Sequence, residues 1–180
     1  MNDFSELHPG DIFCVTDPKE WISKTINAYQ WFWSIDGEST YSHSGIITDK
    51  NGDTFEALYN GIGRSNIFSE YAGKPIIIGR IVGMNDSKFN ERFSAVSGYE
   101  GKIYPYWRLL LHGIPFLAKF FHQAKLPVCS ELVWMFSDLG NPWGITPDIV
   151  ADRIKHWDEI DMLYEGMCPQ TFNCKKENSR

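Results

Sequence analysis

Cys129, in "KLPVCSELVW", combines a thiol with a place in the first turn of a predicted helix. Unpaired backbone N–H groups and the helix dipole stabilise an anion there and lower a thiol pKa. Leu126, Pro127 and Val128 precede it, so no Ser, Thr, Asp or Asn side chain caps those donors. Free N–H groups beside a thiol also make half of an oxyanion hole. The pattern of the helix points the other way. At 100° per residue, Leu132, Val133, Met135, Phe136 and Leu139 share one apolar sector with Cys129 near its middle, and Ser130, Glu131, Ser137 and Asp138 fall opposite. A cysteine in such a sector commonly packs as a small hydrophobe.

A nucleophilic thiol needs a base, and the base needs a group that orients it. The sequence offers five histidines. His8 lies beside a Pro-Gly turn and His156 ends a predicted surface helix, so both read as solvated. His112 and His122 fall in an apolar segment, as packing or surface residues. His43 differs because it begins the predicted strand "HSGIIT", directly before a small residue and a glycine. Glu56, on the following strand, can orient it only in one register. A tight turn on Asn51 and Gly52 sets Glu56 opposite Ile47, roughly 13 Å from His43 at about 3.3 Å per residue. A longer loop, Asp49 to Gly52, sets it opposite Gly45, on the face of His43 and diagonal to it at roughly 7 Å. Gly45 leaves the space between them open. A Cys129, His43, Glu56 triad therefore predicts the longer loop; otherwise Glu56 is a polar residue on a half-exposed strand.

The elements that must position these residues are legible from pattern. "DIFCV" (Asp11 to Val15) predicts a first strand, and "PKEWISKTINAYQWF" a helix, with Trp21, Ile22, Ile26, Tyr29 and Trp33 at helical spacing. "SHSGIIT" and "TFEAL" flank "DKNG" as a hairpin, and "KPIIIGRIV" has the continuous apolar run of a buried strand. Ser87 to Trp107 is mostly helical in pattern, with a break near Pro105. Cys129 to Leu139 predicts a helix, "TPDIVADRI" another with Thr146 as N-cap and Pro147 at the first helical position, and "IDMLYE" a last strand. The sum is α+β, with one antiparallel sheet and helices packed on it. At 180 residues, 43% hydrophobic and 15% aromatic, with no repeat or linker, the chain reads as a single domain over 1–180.

Composition narrows the partners. With 23 acidic against 17 basic residues, a formal charge of -6 and no basic stripe, the chain lacks the surface that displaces counterions from phosphates, so nucleic-acid binding is not expected. The start, "MNDFSELHPGD", has acidic residues where a secretory signal needs positive ones and lacks an apolar core, so a cytoplasmic location is expected. The cysteines Cys14, Cys129, Cys168 and Cys174 show no zinc-type spacing and predict no disulfide framework in a reducing compartment; Cys168 and Cys174 are close enough in sequence to pair under oxidation. The segment Arg108 to Leu126 is the most apolar. A transmembrane span takes about 20 mostly apolar residues, and this one contains His112, Gly113, Pro115, Lys119, His122 and Lys125. It reads as a partly buried helical segment or as an interfacial element in which Phe116, Leu117, Phe120 and Phe121 meet a membrane surface or a partner's groove.

"HSGIIT…TFEAL" followed much later by "VCSELVW" resembles the circularly permuted branch of the NlpC/P60 papain-like superfamily, the YiiX/YaeF-like proteins. "PGDIF", "GYEGKIYPYW" and "ITPDIVADR" extend the resemblance over nearly the whole chain. It implies a papain-like fold, with a central antiparallel sheet or half-barrel packed against the cysteine helix. It also implies a cysteine hydrolase or transferase working through an acyl-enzyme, with Cys129 as nucleophile, His43 as general base and Glu56 orienting His43. A tyrosine before the cysteine often assists in this family; Tyr104 matches best, with Tyr106 close by and Tyr41 as a bland alternative. No metal or organic cofactor is expected. Trp31 and Trp33, in the aromatic loop Tyr29 to Tyr41, read as core or rim. Three functions remain open: an amidase or peptidase acting on peptide-like amides, a lipid-directed acyltransferase or thioesterase using Arg108 to Leu126, and a non-catalytic binding module.

Overall fold

The strand "DIFCV" forms β1 (Asp11–Val15) and is buried at every position, as a central strand covered on both faces must be. The computed structural model describes residues 6–16, 40–58, 60–103 and 127–170. Gly10, just before β1, holds φ +94° and donates its N–H to the Ile47 carbonyl at 2.9 Å, a conformation glycine adopts at little cost. Asp11 is 1% exposed and is compensated by its cross-strand partner Arg80, through Nε at 2.8 Å and Nη2 at 2.9 Å. Burial of a carboxylate requires such partners.

β2 (His43–Ile47) and β3 (Asp53–Leu58) form the expected hairpin. Asp49 Oδ1 accepts from the N–H groups of Asn51 and Asp53, both at 2.9 Å, Gly52 takes φ +83°, and the Thr48 N–H closes on the Asp53 carbonyl at 2.7 Å. The loop is therefore the longer one, Asp49 to Gly52, and Glu56 pairs opposite Gly45.

β4 (Gly61–Asn66) returns along β3 and leads into α1 (Ile67–Tyr71), which Asn66 caps by accepting from the N–H groups of Phe68 and Ser69. Neither element is expected from the sequence pattern. β5 (Pro75–Ile81), α2 (Asp86–Ser97), α3 (Cys129–Ser137), α4 (Pro147–His156) and β6 (Ile160–Met167) follow. The sheet order is β4-β3-β2-β1-β5-β6 with every neighbouring pair antiparallel, so the described residues are α+β with six strands and four helices. Strand alternation divides the core. Ile12, Cys14, Ile46, Phe55 and Ile77 face α2, α3 and α4, where Val96, Leu132, Phe136, Val150 and Ile154 pack. Phe13, Val15, Ile47, Ile76 and Ile78 face Ile67, Phe68 and Tyr71 of α1.

Three expectations need correction. α3 is not amphipathic in its surroundings: Ser130, Glu131 and Ser137 are buried as well, because α2 and α4 pack beside it. Two of them, Ser130 and Glu131, tie down the chain between α3 and α4. Ser130 Oγ donates to the Ile145 carbonyl at 2.6 Å, and Glu131 accepts from the Gly144 N–H at 3.4 Å. α3 also ends at Ser137, before Leu139, because Asp138 turns into the left-handed region at φ 55°. α2 stops at Ser97 with Gly98 as its C-cap, well before Pro105. α4 begins as expected, with the Thr146 side chain accepting from the Ile149 N–H at 3.3 Å and Pro147 in the first turn. The predicted helix Pro18 to Phe32, Tyr104, Tyr106, the segment Arg108 to Leu126 and Cys174 lie outside the described residues. Among those described, no helix is long and apolar enough to cross a membrane.

Candidate active site

His43 opens β2 and Glu56 lies on β3, and the hairpin register turns both toward the α1 side of the sheet. The imidazole Nε2 lies 2.6 Å from Glu56 Oε2. That contact leaves Nδ1 for the second partner of the ring, the sulfur of Cys129, which hydrogen-bonds His43 from the start of α3. α3 packs against β2 from the opposite face of the sheet, so its first residue reaches the imidazole where the strand begins. Sequence expectation and structure agree in bringing Cys129, His43 and Glu56 together.

Gly45 makes the register usable. A Cβ at this position would stand 2.7 Å from Phe13 ring carbons, closer than real contacts allow, and 3.1 Å from Glu56 Cβ, a tight contact. Its backbone needs no special φ; what matters is the missing side chain, which leaves room for the Phe13 ring on one side and Glu56 on the other. The His43 ring stands 6.4 Å from Phe13 and 5.9 Å from Tyr71, centroid to centroid, which limits its rotation.

Burial and charge oppose each other at all three groups. Burial favours a neutral Cys129 thiol, but hydrogen bonding and charge from His43, with the backbone N–H groups of Ser44 and Ser130, hold it below the ordinary thiol value of 9.0. Burial alone would lower His43, yet its bonds to Cys129 and Glu56 raise it from 6.5 to about 10. Burial would raise Glu56, whereas His43, Thr54 and Tyr71 hold it below 4.5. The favoured state is a thiolate and an imidazolium beside an ionised carboxylate. Cys129 is 3% exposed and Glu56 0%, while the His43 side chain keeps 19% of its surface open, so access to the site runs past the imidazole.

The expected uncapped helix start holds in part. Val128 contributes no side-chain acceptor, but the Glu131 carboxylate accepts from the Val128 N–H at 3.0 Å, so that donor is occupied. The Ser130 N–H points to the sulfur instead. Tyr41 donates to Glu165 Oε1 at 3.0 Å. His8 and His156 are exposed, as expected. Cys168 is a free buried thiol that donates to the Ile67 carbonyl at 3.6 Å.

Two residues that contact Glu56, Thr54 and Tyr71, are not marked as such in the sequence. Tyr71, the last residue of α1, donates its hydroxyl to Glu56 Oε2 at 2.5 Å. The available signal was Asn66 before Ile67, Phe68 and Tyr71, a capped turn with its apolar residues on one side.

Among the described residues, no group of three or more His, Cys, Asp or Glu side chains is placed to hold a metal ion. No family model matches the chain, and no curated protein matches it. Among solved structures it is similar to metalloprotein YiiX of Escherichia coli O157:H7, described as DUF1105, with 18% identity over 93% of this chain and 92% of that one and a TM-score of 0.49. A similarity this distant assigns neither a family nor an activity.

Proposed function

We propose that the protein is a cysteine hydrolase of the amidase or peptidase type, a permuted NlpC/P60 papain-like enzyme that cleaves an amide through a thioacyl intermediate. The observation that carries this reading is the hydrogen-bonded chain from the Cys129 sulfur through His43 to Glu56, with Nε2 to Oε2 at 2.6 Å. In it, the Cys129 thiolate attacks the carbonyl carbon and the carbonyl π pair moves onto oxygen. The Cys129 backbone N–H, at the start of α3, helps to hold that oxyanion. The imidazolium then gives its Nδ1 proton to the departing amine, the C–N bond breaks and a thioester remains. His43, now neutral, takes a proton from water as the oxygen attacks the thioester. Collapse releases a carboxylic acid and restores the thiolate, whose partner is again the imidazolium. Glu56 holds the ring by Nε2 throughout, which fixes Nδ1 toward the sulfur.

Mass spectrometry of the acid-quenched protein after mixing with a panel of peptide amides and activated esters tests the reading. An acyl mass on the peptide containing Cys129, absent from His43→Ala, is expected. No adduct from any acyl donor, in a chain that stays folded, overturns it. Turnover of peptide amides without vesicles supports the amidase; adduct formation only with acyl lipids in vesicles would move the assignment to lipid acyl transfer.

A further inference from the structure

We propose that Tyr71 and Thr54 are positioning residues of this site, two hydroxyls that keep Glu56 an anion fixed against His43. The role rests on the Cys129, His43, Glu56 reading and adds the means by which its third member is held. Glu56 is 0% exposed, and its two oxygens receive three donors from three elements. His43 of β2 and Tyr71 of α1 meet Oε2, at 2.6 and 2.5 Å, and Thr54 of β3 meets Oε1 at 2.5 Å. Thr54 reaches it because residues two apart on a strand share a face. Tyr71 reaches it because Asn66 starts a helix that ends over the sheet, where the Tyr71 ring packs 5.7 Å from Phe13.

A buried carboxylate with only the imidazole as donor would draw a proton to itself. Protonated Glu56 has no charge with which to hold the imidazolium, and the thiolate then loses its own counter-charge. The two hydroxyls oppose that sequence without bringing a charge of their own. Tyr71 stays a donor at every working pH, since burial and the Glu56 charge push its phenol far above the usual value. The other titratable or charged groups around the pair are His43 on β2, Cys129 on α3 beyond it, Glu70 beside Tyr71, and Lys74, whose Nζ lies 5.3 Å from the Tyr71 ring centroid. The Thr54 hydroxyl does not titrate.

The test is the rate of iodoacetamide alkylation of Cys129 against pH, in wild type, Tyr71→Phe, Thr54→Val, the double variant and His43→Ala, with the thermal midpoint of each. Losing one hydrogen bond to a buried charge should raise the acid midpoint of alkylation by about one pH unit per variant, and by about two in the double. Rates should converge at alkaline pH, where the thiolate forms unaided. Lower thermal midpoints with an unchanged alkylation midpoint would make both residues mere packing and overturn the proposal, while a depressed wild-type midpoint lost in His43→Ala would leave the triad standing. A wild-type midpoint no lower than that of an ordinary thiol would overturn both. Should Tyr71→Phe not fold, Thr54→Val, which keeps shape and removes only the donor, carries the same test.

Discussion

The middle of β1 and the start of α3 each place a cysteine in the same apolar cluster, and the two thiols are pushed in opposite directions. Cys14 is 0% exposed and Cys129 3%, so burial does not separate them. Cys14 donates to the Pro147 carbonyl at 3.4 Å, and burial, with negative charge on Cys129, drives its pKa well above 9.0. Cys129 meets an imidazole and two backbone N–H groups instead, and these overcome the same burial. What separates the two thiols is the set of donors aimed at the sulfur.

The largest expected effect breaks that contrast outright. Cys129→Ala should remove turnover and the acyl adduct, while Cys14→Ala should keep both and lose only stability. His43→Ala should lower turnover by about 10²- to 10⁴-fold, the usual contribution of a positioned acid–base, and leave Cys129 as inert to alkylation at pH 6 as Cys14. Next in size is Gly45→Ala. Its methyl group must displace Phe13 or Glu56, and a misplacement of about 1 Å at an orienting group costs on the order of 10²-fold in kcat; alkylation and turnover measured together check it.

The pH dependence sharpens the contrast further. Cys129 is lowered, so its thiolate persists below 9.0 and disappears only as pH falls through its folded-state value. His43 is raised, so the imidazolium is present below its folded value and is lost as pH rises through about 10. A bell-shaped kcat/KM profile with its alkaline limb near about 10 is expected. Glu56 is depressed, so its stabilising contribution is complete above 4.5 and is lost as pH falls below that, and Glu56→Gln should flatten the acid side of a Tm-against-pH curve. The smallest effect is a control away from the sulfur. Thr146→Ala removes the α4 cap and should cost about 1 kcal/mol in denaturant unfolding, leaving the alkylation midpoint of Cys129 unchanged.

How far the sequence disclosed this arrangement follows from where its signals are strong. Asp49, Asn51 and Gly52 specify a turn but leave its length open, and the longer loop follows only if Glu56 is to reach His43; Cys129 is marked separately, by its place at a helix start. β4 was not, because "GIGRSN" has one large apolar residue, and an edge strand buries too little to impose alternation. α1 spans five residues, too short for helical periodicity to register, and Tyr71 went unseen with it. The burial of Ser130 and Glu131 was hidden for another reason. A helical wheel sorts residues by type, whereas neighbouring helices decide which faces meet solvent.

The four residues Asp49 to Gly52 contain no catalytic group, yet they determine which layer of the molecule receives a carboxylate. Strand side chains alternate between faces, so deleting one loop residue and sliding β3 by one position would send Glu56 into the helix layer and Phe55 or Ala57 toward the imidazole. Such a deletion leaves Cys129, His43 and Glu56 all in the sequence, and the site nonetheless disassembled. A length change in this loop is therefore equivalent to a mutation of the third member of the proposed triad, and comparison of related chains has to count residues between His43 and Glu56 as carefully as it identifies them.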